Sequence, residues 1–307
     1  MSREKNVFDG VPEFLETVRS QSFTAAAERL GLTGSAVGKS VTRLEDRLGT
    51  KLLHRTTRRL SLTAEGQRYY DRWTSLMDEI EGLEGEIAPG TGGVFGRLVI
   101  HLPAAFGRRH VMPLLMKLAG QHAGLDLTVN FTERRADLVA EGIDLAVRIG
   151  ELDEYADLVA RPLGQQRLVI SASPEYLSRN GIPSAPSDIK QHSCLAGSRN
   201  SGVASWLMKN GSGKTERLVI QPRHEFSDGD ALLAATLAGA GITQLPTWLI
   251  HEHLVSGALV PVLESYTGAE MPIHALWPSS RYLKPVQRLV IDALIEEASS
   301  PTSIYRV

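Results

Sequence analysis

Near the start of the chain, apolar positions recur at steps of three and four. Phe8, Val11, Phe14, Leu15 and Val18 share one stripe and predict a first helix. Ser20-Gln21-Ser22 interrupts it, and Ser22 or Thr24 can cap a short second helix in which Ala25, Ala26 and Ala27 permit close packing and Leu30 anchors the far end. The turn Gly31-Leu32-Thr33-Gly34 leads into a third helix with Val37, Val41, Leu44 and Leu48 facing inward and Ser35, Lys39, Thr42 and Arg43 facing outward. Leu52-Leu53-His54 and Leu60-Ser61-Leu62 then alternate like two short strands around the tip Arg55-Thr56-Thr57-Arg58-Arg59. Thr63 can cap a long helix on which Tyr69, Trp73, Leu76, Met77, Ile80, Leu83 and Ile87 form a seam, closed by the hinge-like Ala88-Pro89-Gly90-Thr91-Gly92-Gly93.

From Arg97 the pattern changes to alternating strands and helices. Strands are predicted at 98–102, 125–131, 144–149, 168–171, 217–220, 242–246 and 273–277, and helices at 107–121, near 230–238 and at 284–298. Such alternation predicts a mostly parallel sheet with helices on both sides. The chain leaves the first run of elements near 165 and returns near 268, so the overall expectation is a multi-domain α+β protein. A small helical unit (1–63) is followed by a linker helix and hinge (64–93) and a two-lobed α/β domain (94–307), with lobe I at 94–164 and 268–298 and lobe II at 165–267.

Composition adds limits. The 307 residues are 42% hydrophobic and 22% charged, which suits a soluble globular chain. The start, MSREKNVFDG, lacks the apolar core of a signal peptide and no apolar run reaches the ~18 residues of a membrane span, so a cytoplasmic protein with no membrane partner is expected. The net charge of -2 conceals an asymmetry, since residues 1–72 carry +4 and the remainder -6. From Lys39 to Arg59 seven basic residues face only Glu45 and Asp46, a local patch suited to phosphates. Cys194 is the single cysteine, which excludes an internal disulfide and reads as a small buried strand residue. His251-Glu252-His253 lacks convergent metal ligands, Gly211-Ser212-Gly213-Lys214 lacks the spacing of a phosphate loop, and no nucleophile elbow occurs. Neither a metal, nor a cofactor, nor a catalytic role is expected.

Two short helices joined by a tight turn, the second with a small-polar and basic outer face, make a helix-turn-helix whose second helix fits a major groove. The basic hairpin tip after it makes a wing able to reach phosphates or a narrow minor groove. The candidate DNA-binding residues are Ser22, Thr24, Thr33, Ser35, Lys39, Thr42, Arg43, Arg55, Thr56, Thr57, Arg58 and Arg59. The linker helix is too long for so small a unit to cover, so a second copy is expected along its seam, presenting two recognition helices to two half-sites.

Residues 14–66 resemble the LysR-type transcriptional regulator signature. The resemblance rests on Phe14-Leu15, Ser22-Phe23-Thr24-Ala25-Ala26-Ala27, Ser35-Ala36-Val37, Leu44-Glu45, Leu48-Gly49, Leu52-Leu53, Arg55-Thr56-Thr57-Arg58 and Leu62-Thr63-Ala64-Glu65-Gly66. One departure is Gly38, where members usually carry a serine. The resemblance implies a homodimer or homotetramer built on paired linker helices, with double-stranded DNA, a small-molecule effector and RNA polymerase as partners. It also implies a periplasmic-binding-protein-like effector domain over the rest of the chain, matched at Pro113, Asp144-Leu145-Ala146-Val147-Arg148, Leu158 to Leu163 and Gly239-Ala240-Gly241-Ile242.

A ligand between such lobes meets the loops at the carboxyl ends of strands. The candidates are Pro103, Ala104, Ala105, Phe106, Arg148, Gly150, Ser198, Arg199, Asn200, Ser227, Asp228, Leu245 and Pro246. Many relatives carry Ser or Thr where this chain has Ala105, which shifts the expectation from a simple carboxylate effector toward a more apolar one near Phe106. The competing reading from another class is a ligand-binding or catalytic α/β protein with a helical dimerisation module at its N-terminus.

Overall fold

The computed structural model describes residues 6–55, 60–87, 94–152, 157–197, 203–279 and 283–300. They form two compact units that meet in sequence near residue 90.

The first unit opens with α1 (Val11–Ser20), α2 (Phe23–Leu30) and α3 (Gly34–Leu48). Each start has a local cause. Pro12 sits in the first turn of α1, Ser22 Oγ accepts from the Ala25 N–H at the head of α2, and Thr33 Oγ1 accepts from Ala36 N–H at the head of α3. Gly31 and Gly49 end α2 and α3 in the left-handed region. Between the two candidate caps of the second helix, the structure uses Ser22.

Phe14, Leu15, Ala26, Ala27, Val37, Val41 and Leu44 close a common core. Leu48, expected inward, is 40% exposed because α3 ends there and the chain turns away at Gly49. The strands β1 (Leu53–Arg55) and β2 (Leu60–Leu62) pair antiparallel, with His54 opposite Ser61. The linker helix α4 (Ala64–Ile87) follows, its Gly66 N–H donating to Thr63 Oγ1 at 2.8 Å.

The second unit begins with β3 (Gly96–Leu102), then α5 (Ala104–Phe106), a π-turn over Gly107–Val111 and α6 (Met112–Gln121). A single helix is expected over 107–121. Pro113 has no N–H for the carbonyl four residues back, and the widened turn lies where that ladder would be broken.

The chain continues through β4 (Leu125–Phe131), β5 (Leu145–Ile149) and the 15-residue β6 (Leu158–Ala172). Next come α7 (Pro174–Asn180), β7 (Cys194–Gly197), the hairpin β8 (Ser205–Lys209) and β9 (Thr215–Val219), and β10 (Pro222–Phe226). The remaining elements are α8 (Gly229–Leu237), β11 (Thr243–Pro246), α9 (Thr247–Val255), β12 (Val260–Pro261), β13 (Glu270–Pro278) and α10 (Pro285–Ser299).

The main sheet runs β11-β6-β13-β5-β3-β4, with β12 also on β6. It is mixed rather than mostly parallel. β3 pairs parallel with β4 and β5, but β13 is antiparallel to both β5 and β6, and β11 and β12 are antiparallel to β6. The cause is β6, which pairs with β13 as far as Arg167 and with β11 from Leu168 onward. One strand therefore belongs to both lobes, and the return strand β13 must run against it. Lobe I packs Leu98, Ile100, Leu102, Phe106, Leu115, Leu145 and Val290. Lobe II has two clusters, one around Ile170, Tyr176, Cys194 and Trp206, the other around Leu195, Leu232, Leu245 and Ile250.

Candidate nucleic-acid interface and effector cleft

On α3 the outward residues stand as the sequence places them. Ser35, Lys39 and Arg43 are exposed and Thr42 is half-buried. Neither Lys39 nor Arg43 has a hydrogen bond or ion pair to another described residue, so both cations stand one turn apart on one helical face. The hydroxyls are less free. Thr42 Oγ1 donates to Gly38 O at 2.9 Å, Thr33 Oγ1 is the cap of α3 and lies 3.2 Å from Ser35 Oγ, and Ser22 Oγ is the cap of α2. Thr24 is exposed. A Cβ at Gly38 would meet nothing within 4 Å, so packing does not demand a glycine there. At the wing, Arg55 lies in β1, while its side chain and the tip residues Thr56, Thr57, Arg58 and Arg59 lie outside the described set.

The seam of α4 divides. Trp73 is buried by its own chain, with Phe8 and Tyr69 rings at 5.5 and 6.1 Å, and Tyr69 and Met77 pack on the same core. These three, expected in a dimer seam, are core contacts of the first unit, because the first turns of α4 lie against α1. Leu76 and Ile80 are 45% and 38% exposed. The side chains of Leu83 and Ile87 are outside the described set.

In the second unit, the carboxyl ends of β3, β4 and β5 converge on the amino end of α8. Ala104 N–H donates to Glu133 Oε1 at 2.9 Å. Asp228 caps α8, its Oδ1 accepting from Asp230 and Ala231 N–H. Arg108 Nη2 lies 2.7 Å from Asp230 Oδ2 and 3.7 Å from Asp228 Oδ1, and Arg109 Nη2 lies 2.8 Å from Asp230 Oδ1. These ion pairs join lobe I to lobe II. An aromatic contact joins them too, since the Trp248 ring of α9 sits edge-on to Phe106 at 5.5 Å and to His110 at 5.0 Å. Its Nε1–H donates to Gln166 Oε1 on the crossing strand β6 at 2.9 Å.

The predicted cleft residues distribute unevenly. Ala105 faces Gly229 of α8, where an added Cβ would come within 3.4 Å of the Ala105 methyl. Phe106 is 1% exposed within the lobe I core and Leu245 is buried in that of lobe II, so both form walls rather than free surface. Pro246 is buried and precedes α9, and Gly150, at φ 111°, donates its N–H to Pro272 O in a turn. Arg148 lies on β5 within electrostatic reach of Glu133. Ser227 is exposed. Ser198, Arg199 and Asn200 lie outside the described residues.

Residues 13–67 match the family described as bacterial regulatory helix-turn-helix protein, lysR family, and residues 91–299 match the LysR substrate binding domain. The chain belongs to the LysR family of transcriptional regulators. It is 32% identical over 285 residues to the HTH-type transcriptional regulator CrgA of Neisseria meningitidis, covering 92% of this chain and 94% of that one. It is 34% identical over 270 residues to an HTH-type transcriptional regulator of Haemophilus influenzae, covering 88% and 93%. The solved structure of CrgA aligns with a TM-score of 0.60 over 95% of this chain and 98% of that one. The full-length structure of AphB, the Vibrio cholerae virulence activator, aligns at 26% identity with a TM-score of 0.58, covering 94% and 98%.

In this LysR-family regulator, Arg108, Arg109, His110, Glu133, Gln166, Asp230 and Trp248 stand where the two lobes meet, and the sequence pattern does not single them out. Glu133 was within reach of the same rule that selected 103–106, since it follows the carboxyl end of β4. The others are brought in by α8, α9 and the crossing strand, which no local pattern aligns.

His110 carries a pH consequence. Its Nε2 is buried without a partner among the described residues. Burial, with Arg109 beside it, pulls the imidazole down from 6.5 to about 4. The unfolded chain therefore binds the proton first as pH falls, and the second unit is expected to lose stability from pH 6.5 down to about 4 and to level off below. His192 and His274 are lowered by burial as well and act with the same sign. Comparing the wild type with His110→Phe by thermal unfolding across this window isolates the share of His110. Identical pH profiles for the two proteins would remove it.

Proposed function

We propose that this regulator binds double-stranded DNA as a homodimer or homotetramer, with Ser35, Lys39, Thr42 and Arg43 of α3 in the major groove and Arg55, Thr56, Thr57, Arg58 and Arg59 against the backbone. The observation that carries the reading is the pair of exposed, unpartnered cations Lys39 and Arg43 on the outer face of α3. A cation without an intramolecular partner breaks no internal contact when it meets a phosphate or a guanine edge. Leu76 and Ile80, one turn apart and exposed on α4, are the side chains a second copy would cover. At about 1.5 Å per residue, 24 residues make a rod of roughly 36 Å. Paired rods place two recognition helices on a two-fold operator.

The second unit binds a small-molecule effector between its lobes, and a change in lobe closure alters how the oligomer holds DNA. RNA polymerase is the partner that reads the result. The protein acts in the cytoplasm. No described helix is long and apolar enough to cross a membrane.

The test is binding to the DNA upstream of its own gene over a salt series, beside the double variant K39A/R43A. The expected result is saturable, sequence-selective binding in the wild type and about 100-fold weaker binding in the variant, about tenfold per lost contact. The slope of log K against log salt should fall by about 1 for each phosphate contact removed. Because neither side chain is packed, the variant should unfold at the wild-type temperature. No preference over scrambled DNA at any salt would favour the alternative, a ligand-binding α/β protein with a helical dimerisation module.

A further inference from the structure

The cleft between the lobes already holds a carboxylate. We propose that Glu133 determines the class of effector this cleft accepts: it occupies the seat of an anionic group and so selects against carboxylate ligands and for ligands that present an ammonium or N–H donor. The inference rests on the reading that the effector binds between the lobes.

Glu133 lies two residues beyond β4, and its Oε1 accepts the Ala104 N–H where the chain leaves β3. This is the first backbone donor after Pro103, which has none. Arg148 and Arg108 attract the same carboxylate. The remaining cations of the cleft are answered as well: Arg108 is held by Asp230 and Asp228 from lobe II, and Arg109 by Asp230. An incoming carboxylate would come up against Glu133, Asp228 and Asp230, and like charges at short range repel. Ala105, which follows Ala104, has no hydroxyl to offer, and its methyl faces Gly229.

Glu133 Oε2, by contrast, accepts from no described residue. An acceptor oxygen left open on a carboxylate whose other oxygen is fixed suits a donor group. Although Glu133 as a residue is exposed, desolvation of its carboxyl and the nearby Asp228 raise its proton affinity on balance, against the Ala104 bond and the two arginines. A bound cation would act in the same direction as those arginines.

The experiment uses the full-length protein and two probes of similar shape and opposite charge, phenylacetate and phenethylamine, followed by calorimetric titration. The wild type should bind phenethylamine and bind phenylacetate at least about tenfold more weakly, the scale of one charge-assisted hydrogen bond. Glu133→Ala should reverse the order by freeing the Ala104 N–H and removing the nearest of the three negative charges. Glu133→Gln keeps an acceptor for Ala104 but not the charge, so it should lose the amine without gaining the carboxylate fully. Its thermal unfolding reports whether the site still folds.

If Glu133→Ala gains no affinity for phenylacetate over the wild type, the proposal is overturned. Arg148→Ala separates the two levels of the argument. Phenylacetate binding that is equal in wild type and Glu133→Ala but lost in Arg148→Ala overturns the role of Glu133 and leaves the cleft as the ligand site. Binding that neither substitution changes overturns both.

Discussion

Gly66→Ala should unfold the first unit well below the temperature at which the wild type does. A Cβ at this position would fall on the carbonyl oxygen of Leu52 and 2.8 Å from its carbonyl carbon. Neither side can give way cheaply. The carbonyl of Leu52 accepts the Thr63 N–H at 3.0 Å, and Lys51 O accepts Thr63 Oγ1 at 2.7 Å, so the strand entry is tied to the first turn of α4. Gly66 itself is tied to Thr63 by its N–H. Overpacking in a core usually costs about 1–3 kcal/mol, and a clash between two backbones sits at or above the top of that range, about 4 kcal/mol. Against a typical stability of about 5–15 kcal/mol, this is a large fraction. Calorimetry should show the transition of the first unit moved down or lost and that of the second unchanged, with DNA binding lost at temperatures where the wild type binds. Wild-type unfolding in Gly66→Ala would mean that the close approach of Leu52 to α4 is not maintained in solution.

Glu45→Ala is the second large effect. Glu45 is 2% exposed, an unusual place for a carboxylate, and it is fully used. Its Oε1 accepts from the Leu52 and Leu53 N–H groups at 2.9 and 3.1 Å, and its Oε2 pairs with Lys51 Nζ at 2.9 Å. It thereby fastens the beginning of the wing to α3. Alanine leaves two buried backbone donors unsatisfied, each costing about 1–3 kcal/mol, so a loss of about 3 kcal/mol is expected. The Lys51 pair contributes little of this because the ammonium is 66% exposed. Glu45→Gln keeps an acceptor oxygen and should cost about 1 kcal/mol. Denaturant titration of both variants checks the order. If Glu45→Ala and Glu45→Gln lost stability equally, charge rather than acceptor geometry would be the operative property.

Glu45 also marks where sequence reading stops. In the linear pattern it counts as one of two acids within a basic stretch, a matter of charge; in the fold it is a buried hydrogen-bond hub. Gly66 likewise stands in the motif Thr63-Ala64-Glu65-Gly66 as a residue type at a spacing, and only the approach of Leu52 gives the physical reason for it.

The helices and the wing strands of the first unit were legible from the chain because local forces specify them: three- and four-residue steps, Ser22 and Thr33 as caps, glycines as stops. The outward residues of α3 follow from the same periodicity, since a helix that buries Val37, Val41 and Leu44 must expose Lys39 and Arg43. Tertiary structure decided the rest. The apolar seam of α4 has one period throughout, yet Trp73 and Met77 pack inward and Leu76 and Ile80 stay exposed, because which part of a stripe is covered depends on what lies opposite. The strands of the second unit were readable individually, but periodicity carries no direction, so the antiparallel β13 and the strand β6 shared by two lobes were not. The cleft depends on the same long-range placement. Glu133 reaches Ala104 across 29 positions, and Arg108 reaches Asp230 across 122. Contacts at such separations leave no pattern in a single sequence, and they decide which groups meet where the two lobes join.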